Sequence, residues 1–223
     1  MIRREDMEIE VLEGVFDANE IIAKENRQVL DRHGSFMVNV MASPGADKTS
    51  VILKTLEGVS GELSCAVIEG DIAGRVDSER IAETGVPAIQ INTGGSCHLE
   101  AKQINVALSR LELEGVDLVI VENVGNLVCP AEFKLGEDLK VMILSVAEGD
   151  DKPLKYPLMF SESHVLIVNK IDLIPHTDFD MARLEETVRK MNPAVEMFKL
   201  SCRTGEGVSA WTGWLSERVS NAG

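Results

Sequence analysis

The chain has few of the features that mark secreted, membrane-spanning or nucleic-acid-binding proteins. Its cysteines number four and are widely spaced, which does not suit a disulfide framework for a core this large. Positive charge is scarce: 22 lysines and arginines accompany 37 aspartates and glutamates, for a formal net charge of −15. This balance argues against a nucleic-acid backbone or an anionic membrane as partner. With no apolar run of the roughly 18 to 20 residues that a membrane span needs, and no signal-peptide core at the start, we expect a cytoplasmic protein.

Apolar segments alternate with amphipathic ones, which predicts an α/β fold. Nearly continuous apolar strands separated by helices indicate a three-layer arrangement, a mostly parallel sheet flanked by helices, with right-handed crossovers. We divide the chain into an N-terminal helical extension, residues 1–35, with its cap at Asp17 or Asn19, and one domain, residues 36–223. The polar segment 150–153 is expected to be a surface loop. Strands are predicted at 36–42, 64–69, 86–92, 117–124, 139–146, 164–169 and 194–200, and helices at 17–33, 49–57, 75–84, 98–114, 179–191 and 208–219.

Residues 36–50 have the order of an apolar strand, a tight loop and a helix start, which is the setting of a phosphate-binding loop. In such a loop, backbone N–H groups and the helix N-terminus point at the polyphosphate, a lysine neutralises the β and γ phosphates and a hydroxyl holds Mg²⁺. Lys48 and Thr49 are expected in the last two roles. The predicted phosphate-binding residues are Gly45, Ala46, Asp47, Lys48, Thr49 and Ser50.

Two residues depart from the usual pattern G-x-x-x-x-G-K-S/T, because Ala42 and Asp47 stand at the glycine positions. Glycine suits a backbone that approaches phosphate closely and adopts positive φ. Asp tolerates left-handed geometry, but a carboxylate facing the phosphates would cost on the order of a few kcal/mol at an effective dielectric of about 20. Facing solvent, it would cost little. The alternative is an ordinary strand–turn–helix junction with Asp47 in the first helical turn.

The sequence Asn169-Lys170-Ile171-Asp172 follows a predicted strand and has the composition that guanine recognition needs. A carboxylate accepts hydrogen bonds from both the N1–H and the N2 amine of guanine, whereas adenine offers an acceptor at N1 and lacks that amine. Asn169, Lys170 and Asp172 are therefore expected to bind the base; an ordinary polar turn is the alternative. Ser201 and Cys202 resemble the last loop of small GTPases, beside the base, although Cys202 also suits a small buried filler.

Acidic residues at two other strand ends are suited to Mg²⁺. Glu122 can reach the ion directly or through water, and the N–H of Gly125 can sense the γ phosphate. Asp71 closes an earlier strand and Asp77 follows it, so both are expected in the Mg²⁺ shell, with helix capping as their alternative role. Asn126 is a candidate for orienting the attacking water. The predicted catalytic set is Lys48, Thr49, Asp71, Asp77 and Glu122.

Segment 93–100 contributes, together with Cys129, the soft ligands of a transition-metal site. Cys97 and His98 are adjacent, and neighbours in a regular element point in different directions; they can converge only at an irregular junction, which two preceding glycines provide. Ser96 is expected to cap the next helix, so the helix dipole would favour the Cys97 thiolate. Two thiolates and an imidazole suit Zn²⁺ or Ni²⁺ better than a hard cation. A buried thiol and a surface histidine are the alternative.

The predicted metal site and the predicted γ-phosphate sensor are close in sequence. Cys129 lies only four residues beyond Gly125, so a shift of the loop that responds to the γ phosphate would move a metal ligand. Hydrolysis would then change metal affinity. A coupling free energy of ~1 to 3 kcal/mol would suffice to alternate holding and release of the ion.

These motifs resemble those of the nickel-insertion GTPases of nickel-iron hydrogenase maturation, the HypB family, from Val38 to Gly207. The runs Thr-Gly-x-x-Cys-His-Leu at 93–99 and Glu-Asn-Val-Gly-Asn-Leu-x-Cys-Pro at 122–130 are specific to it. The resemblance implies a P-loop NTPase of the SIMIBI GTPase class that binds GTP or GDP with Mg²⁺ and dimerises with nucleotide. It also implies that Cys97, His98 and Cys129 bind Zn²⁺ or Ni²⁺ near the subunit interface. The partners that it implies are a HypA-type nickel metallochaperone and the hydrogenase large-subunit precursor.

Residues 1–35 contain no cysteine and only one histidine, so the N-terminal nickel motif of some members is not expected. Two other functions stay open. The chain resembles a urease-accessory nickel GTPase less closely, because Cys97-His98 lacks the proline which that family places between cysteine and histidine. A dimerising, metal-binding scaffold whose GTP turnover is impaired by Asp47 belongs to a different class.

Overall fold

A computed structural model describes residues 15–71 and 76–222, with side chains for 18–70 and 79–222. Seven strands form one sheet in the order β3-β2-β4-β1-β5-β6-β7, and each neighbouring pair runs parallel. The strands are β1 Phe36–Ala42, β2 Cys65–Asp71, β3 Ala88–Asn92, β4 Leu118–Glu122, β5 Leu139–Ser145, β6 Val165–Asn169 and β7 Glu196–Lys199. The helices are α1 Val15–His33, α2 Lys48–Val59, α3 Val76–Ala82, α4 Ala101–Leu108, α5 Cys129–Glu132, α6 Lys152–Lys155, α7 Pro157–Ser161, α8 Met181–Met191 and α9 Val208–Ser220, with 3₁₀ segments Val146–Glu148 and Ile171–His176.

The predicted three-layer architecture is confirmed. Strands β1, β4 and β6 are buried along their whole length, whereas the edge strands β3 and β7 are exposed or half-buried. Parallel strands buried on both faces explain the continuous apolar runs of the sequence. Within the described part of the chain, no helix is long and apolar enough to cross a bilayer.

Helices cover both faces of the sheet. On one face, α2 and α9 pack together over the central strands through Ile52 and Trp211. They approach closely, since a Cβ atom added to Gly58 would lie 2.6 Å from a methyl carbon of Thr212. On the other face, α1 and α4 bury Leu30 and Ile104. This arrangement leaves the carboxyl ends of the strands for the loops that carry the candidate site, as is usual in open α/β sheets.

Helix α1 already includes Asp17 and Asn19, so the prediction that one of them caps it is wrong. The Asn19 side chain instead fastens the helix to the domain: its Oδ1 accepts from the backbone N of Ala101 at 2.9 Å and its Nδ2 donates to the carbonyl of Lys134 at 2.8 Å. Residues 1–14 lie outside the described residues, and the division of the chain at residue 35 stays a prediction.

Two other predicted elements have different bounds. The helix predicted at 98–114 is shorter, because α4 begins after Glu100. The backbone of Glu100 is extended, and its N–H donates to Gln103 Oε1 at 2.8 Å. Ser96 is therefore not its cap, and Cys97 lies too far upstream to benefit from the helix dipole. The loop predicted at 150–153 contains the start of α6, where Pro153 occupies the first turn, a position that proline tolerates.

Candidate functional site

The loop between β1 and α2 has the geometry that the phosphate-binding pattern predicts. Gly45 has φ +80° and Asp47 has φ 74° and ψ 41°, both in the left-handed region. Aspartate is one of the few residues that visit this region, which explains how it replaces glycine at the N-cap of α2. Lys48 and Thr49 then begin the helix, so the loop leads directly into a helix N-terminus.

The Asp47 carboxylate is engaged by two neighbours. Its Oδ1 accepts from the Ser50 hydroxyl at 2.6 Å, and its Oδ2 lies 4.0 Å from the Lys170 ammonium. Since the side chain is 38% exposed, solvent and Lys170 together offset its charge. These two contacts and the exposure of the side chain lower the cost expected for a carboxylate in a phosphate-binding loop.

The base-recognition sequence meets the phosphate loop. Asn169 is fully buried at the end of β6; its Nδ2 lies 3.5 Å from the carbonyl oxygen of Ala46, and its Oδ1 accepts from Lys170 N at 2.7 Å. Lys170, itself left-handed at φ 63°, donates from Nζ to the carbonyl of Gly45 at 3.3 Å. These contacts join the predicted phosphate loop to the predicted base-recognition sequence.

Asp172 lies beside the loop that follows β7, as the sequence predicts. Ser201 Oγ donates to its Oδ1 at 2.6 Å, and the exposed Arg203 guanidinium lies 3.6 Å from its Oδ2. Cys202 donates from its backbone N to Asn169 Oδ1 at 3.4 Å. Burial first, and the charge of Asp47 second, raise the pKa of the Cys202 thiol to about 11, so this side chain is a neutral filler at physiological pH.

Oxygen ligands suited to Mg²⁺ lie at the start of α2 and the end of β4. The buried Thr49 hydroxyl donates to Glu122 Oε1 at 3.0 Å. Glu69 stands in register with Glu122 on the neighbouring strand and is also buried. No role was predicted for Glu69 from the sequence, although its place at a strand end was a signal. A hydroxyl and carboxylates fit a hard cation. The side chains of Asp71 and Asp77 lie outside the described residues, so their roles stay predictions.

The segment 123–126, here called the switch segment, packs directly on the phosphate loop. The backbone N of Asn126 donates to the carbonyl of Ala42 at 2.9 Å. A Cβ atom on Gly125 would lie 3.1 Å from the backbone N of Pro44, so only glycine allows this approach without displacement. A displacement of the phosphate-loop backbone would therefore alter its contacts with the switch segment.

The structure brings Cys97, His98 and Cys129 together, with their ligand atoms all within 4.8 Å of one another. The two sulfur atoms are 3.3 Å apart, and Cys97 Sγ is 3.5 Å from His98 Nδ1. Around a tetrahedral ion with M–S bonds of about 2.3 Å and M–N bonds of about 2.0 Å, a sulfur and a nitrogen are separated by roughly 3.5 Å and two sulfurs by roughly 3.8 Å. The sulfur–nitrogen distance matches this value, and the two sulfurs need to separate by about 0.5 Å to share a tetrahedral Zn²⁺ or Ni²⁺. Cys97 is exposed and Cys129 half-buried, which leaves the cluster accessible to solvent.

The surroundings of the cluster favour a defined orientation of each ligand. The imidazole of His98 stacks near Phe133, with ring centroids 4.1 Å apart. Its Nε2 is buried, makes no hydrogen bond within the described residues and lies 4.0 Å from Glu100 Oε1. A hydrogen bond with Cys97 is the main cause that raises the pKa of Cys129, and burial adds to it.

The fold, the phosphate loop and the match of residues 36–199 to the CobW/HypB/UreG nucleotide-binding domain define a P-loop nucleotide-binding protein of the SIMIBI class. The hydrogenase maturation factor HypB of Escherichia coli strain K12 is 44% identical over 96% of this chain and 73% of its own. The hydrogenase/urease maturation factor HypB of Helicobacter pylori is 37% identical over 95% and 88%. A crystal structure of HypB from H. pylori in complex with nickel, 36% identical, has a TM-score of 0.87 over 92% of this chain and 96% of its own. The chain belongs to the HypB family of hydrogenase maturation factors.

Proposed function

We propose that the chain is a GTP-hydrolysing metallochaperone that couples GTP binding and hydrolysis to nickel delivery in nickel-iron hydrogenase maturation. One observation carries the proposal: the segment from Gly125 to Cys129 contacts the phosphate loop at one end and supplies a metal ligand at the other. The family membership and the nickel complex of the H. pylori relative support it.

The contacts between the phosphate loop and residues 169–172 support the proposed nucleotide-binding roles. Lys48 and the amides of the phosphate loop would bind the phosphates of GTP or GDP, and Asn169, Lys170 and Asp172 the guanine. Thr49 and Glu122 would hold Mg²⁺, which neutralises phosphate charge when bound. Asp71 and Asp77 remain proposed members of the same shell. The remaining proposed contacts come from Gly45, Ala46, Asp47, Ser50, Gly125, Ser201 and Cys202.

In this proposal, the cluster formed by Cys97, His98 and Cys129 carries nickel as its cargo, and zinc competes for the same ligands. Thiolates bind both ions well, and the exposure of Cys97 allows an incoming or departing ligand to reach the metal. Free thiols need a reducing compartment to remain ligands, so we place the protein in the cytoplasm. A homodimer, a HypA-type nickel metallochaperone and the hydrogenase large-subunit precursor are its proposed partners.

The test is nickel affinity of the full chain in the presence of GDP and of a non-hydrolysable GTP analogue, measured by equilibrium dialysis. A coupling of ~1 to 3 kcal/mol corresponds to roughly a 5-fold to 150-fold difference. Equal affinities would overturn the coupling. Cys97→Ala and Cys129→Ala should abolish stoichiometric binding, whereas Cys65→Ala, which removes a buried thiol outside the cluster, should not.

The H. pylori relative is a hydrogenase/urease maturation factor, which favours urease as a second candidate recipient. The two recipients differ in a direct assay. A bacterial strain that has both enzymes and lacks its own nickel GTPase can be supplied with this chain, and both activities measured. Recovery of hydrogenase alone supports the proposal, and recovery of urease alone supports the alternative.

A further inference from the structure

Asn126 contacts three functional segments at once. Its backbone N donates to the carbonyl of Ala42 in the phosphate loop at 2.9 Å. Its side-chain Nδ2 donates to the carbonyl of Cys97 at 3.2 Å, and its Oδ1 accepts from the backbone N of Val128 at 2.8 Å. Val128 directly precedes Cys129, so a single amide group bridges the two segments that carry the sulfur ligands.

Asn123 holds the other side of the metal loop. Its Oδ1 accepts from the backbone N of Leu99 at 3.0 Å, while its Nδ2 donates to Asn39 Oδ1 within β1 at 3.1 Å. His98 is thus flanked by two residues whose backbones are bonded to the switch segment. Asn123 is buried at the end of the sheet, whereas Asn126 is half-buried and follows Gly125. Of these two asparagines, Asn126 is therefore the one that a displaced phosphate loop would move.

Resting on the proposed function, we propose that the Asn126 side chain is a positioning residue: it sets Cys97 against Cys129 and transmits movement of Gly125 to both. An amide can do this because its NH₂ group donates and its carbonyl oxygen accepts in one fixed plane. Both of its ends are engaged by backbone groups of the metal-binding segments. Secondary partners of this kind typically alter metal affinity by about 10-fold to 100-fold when removed.

Two substitutions separate the parts of this role. Asn126→Asp keeps an oxygen acceptor for Val128 N but loses the donor to the Cys97 carbonyl, and Asn126→Ala loses both. Asn221→Ala changes an exposed asparagine outside the site and is the matched control. Thermal unfolding of all four proteins verifies that each variant is folded.

The first readout is nickel affinity without nucleotide, measured by competition with a chromophoric chelator. We expect both Asn126 variants to bind about 10-fold to 100-fold more weakly than wild type, and Asn221→Ala to match it. Binding of Co²⁺ supplies a second readout, because its sulfur-to-metal charge-transfer band should decrease if Cys97 and Cys129 no longer converge. Wild-type affinity and an unchanged band in both Asn126 variants would overturn the inference.

The second readout is the ratio of nickel affinities in GDP and in the GTP analogue. If wild type shows a difference, the ratio should move towards one in both Asn126 variants, and a ratio equal to wild type would contradict the transmitting role. If wild type shows no difference, the proposed coupling and the transmitting role both fail. The positioning role is still decided by the nucleotide-free affinities, so the two failures are distinguishable.

Discussion

The Asp47 carboxylate lies 4.0 Å from the ammonium of Lys170, so an acidic residue at a glycine position links the phosphate loop to the base-recognition loop. Lys170 also donates to the Gly45 carbonyl, and Ser50 donates to Asp47. These three contacts join residues that are predicted to bind the nucleotide, and they accommodate aspartate at the glycine position. An exposed ion pair of this kind contributes about 0 to 1 kcal/mol, so its effect on nucleotide affinity should be small.

Asp47→Gly tests whether this residue impairs GTP binding. Glycine removes both the charge and the cost of left-handed geometry, and we expect GTP affinity to change by less than about 5-fold, since the carboxylate is already compensated. Titration with a fluorescent GTP analogue measures this. Asp47→Asn keeps the geometry and removes the charge alone. A gain near 100-fold with glycine would instead favour the scaffold reading, in which Asp47 suppresses turnover.

Thr49→Ala should weaken Mg²⁺-dependent GTP binding. It removes a proposed Mg²⁺ ligand oxygen and also one hydrogen bond of the buried Glu122 carboxylate, at a cost of about 1 to 3 kcal/mol in the free energy of unfolding. Thermal unfolding with and without Mg²⁺ and GTP measures both effects, and Thr49→Ser should restore them because serine retains the hydroxyl. If Thr49→Ala is stabilised by Mg²⁺ and GTP as strongly as wild type, the assignment is wrong.

The buried thiol of Cys65 and the half-buried thiol of Cys202 predict how stability falls at alkaline pH. Burial is the main cause that raises the pKa of Cys65 and of Cys202 from 9.0 to about 11 in each case. A raised folded-state pKa means that this contribution to stability is fully present below pH 9 and is lost as pH rises towards 11. Chemical denaturation between pH 8 and 11.5 should show the decline, and Cys202→Ala should make it shallower. A parallel decline in the variant and wild type would contradict the assignment to Cys202.

Much of the fold follows from local sequence pattern, whereas much of the site depends on contacts between distant segments. Apolar runs predicted the seven strands of the described residues, and β1, β4 and β6 need no alternation because they are buried along their whole length. The phosphate loop and Asn169 to Asp172 were found because each is contiguous. In contrast, α6 and α7 are four and five residues long, too short to display a helical period.

The start of α4 was missed for a different reason. Ser96 is a favourable cap by residue type, but the backbone at Glu100 and its bond with Gln103 decide the boundary. The contacts of Asn126 join residues up to 84 positions away through its backbone, and no spacing rule reveals them. Convergence of Cys97 and His98 with Cys129 was expected from the irregular junction that the glycines before them provide. The helix dipole was expected to favour the Cys97 thiolate, and this part is wrong because α4 begins only after Glu100.

Glu100→Gln tests how the histidine ligand is oriented. His98 Nδ1 faces Cys97 while its buried Nε2 lies 4.0 Å from Glu100 Oε1. A small approach of the carboxylate would let it accept from Nε2 and fix the tautomer of a metal-binding imidazole. We expect nickel affinity to fall by about 10-fold, measured by chelator competition. Glutamine still fits the start of α4, so thermal stability should change little. Glu217→Gln, an exposed residue of α9, is the control; equal nickel affinity in both variants would show that Glu100 does not orient His98.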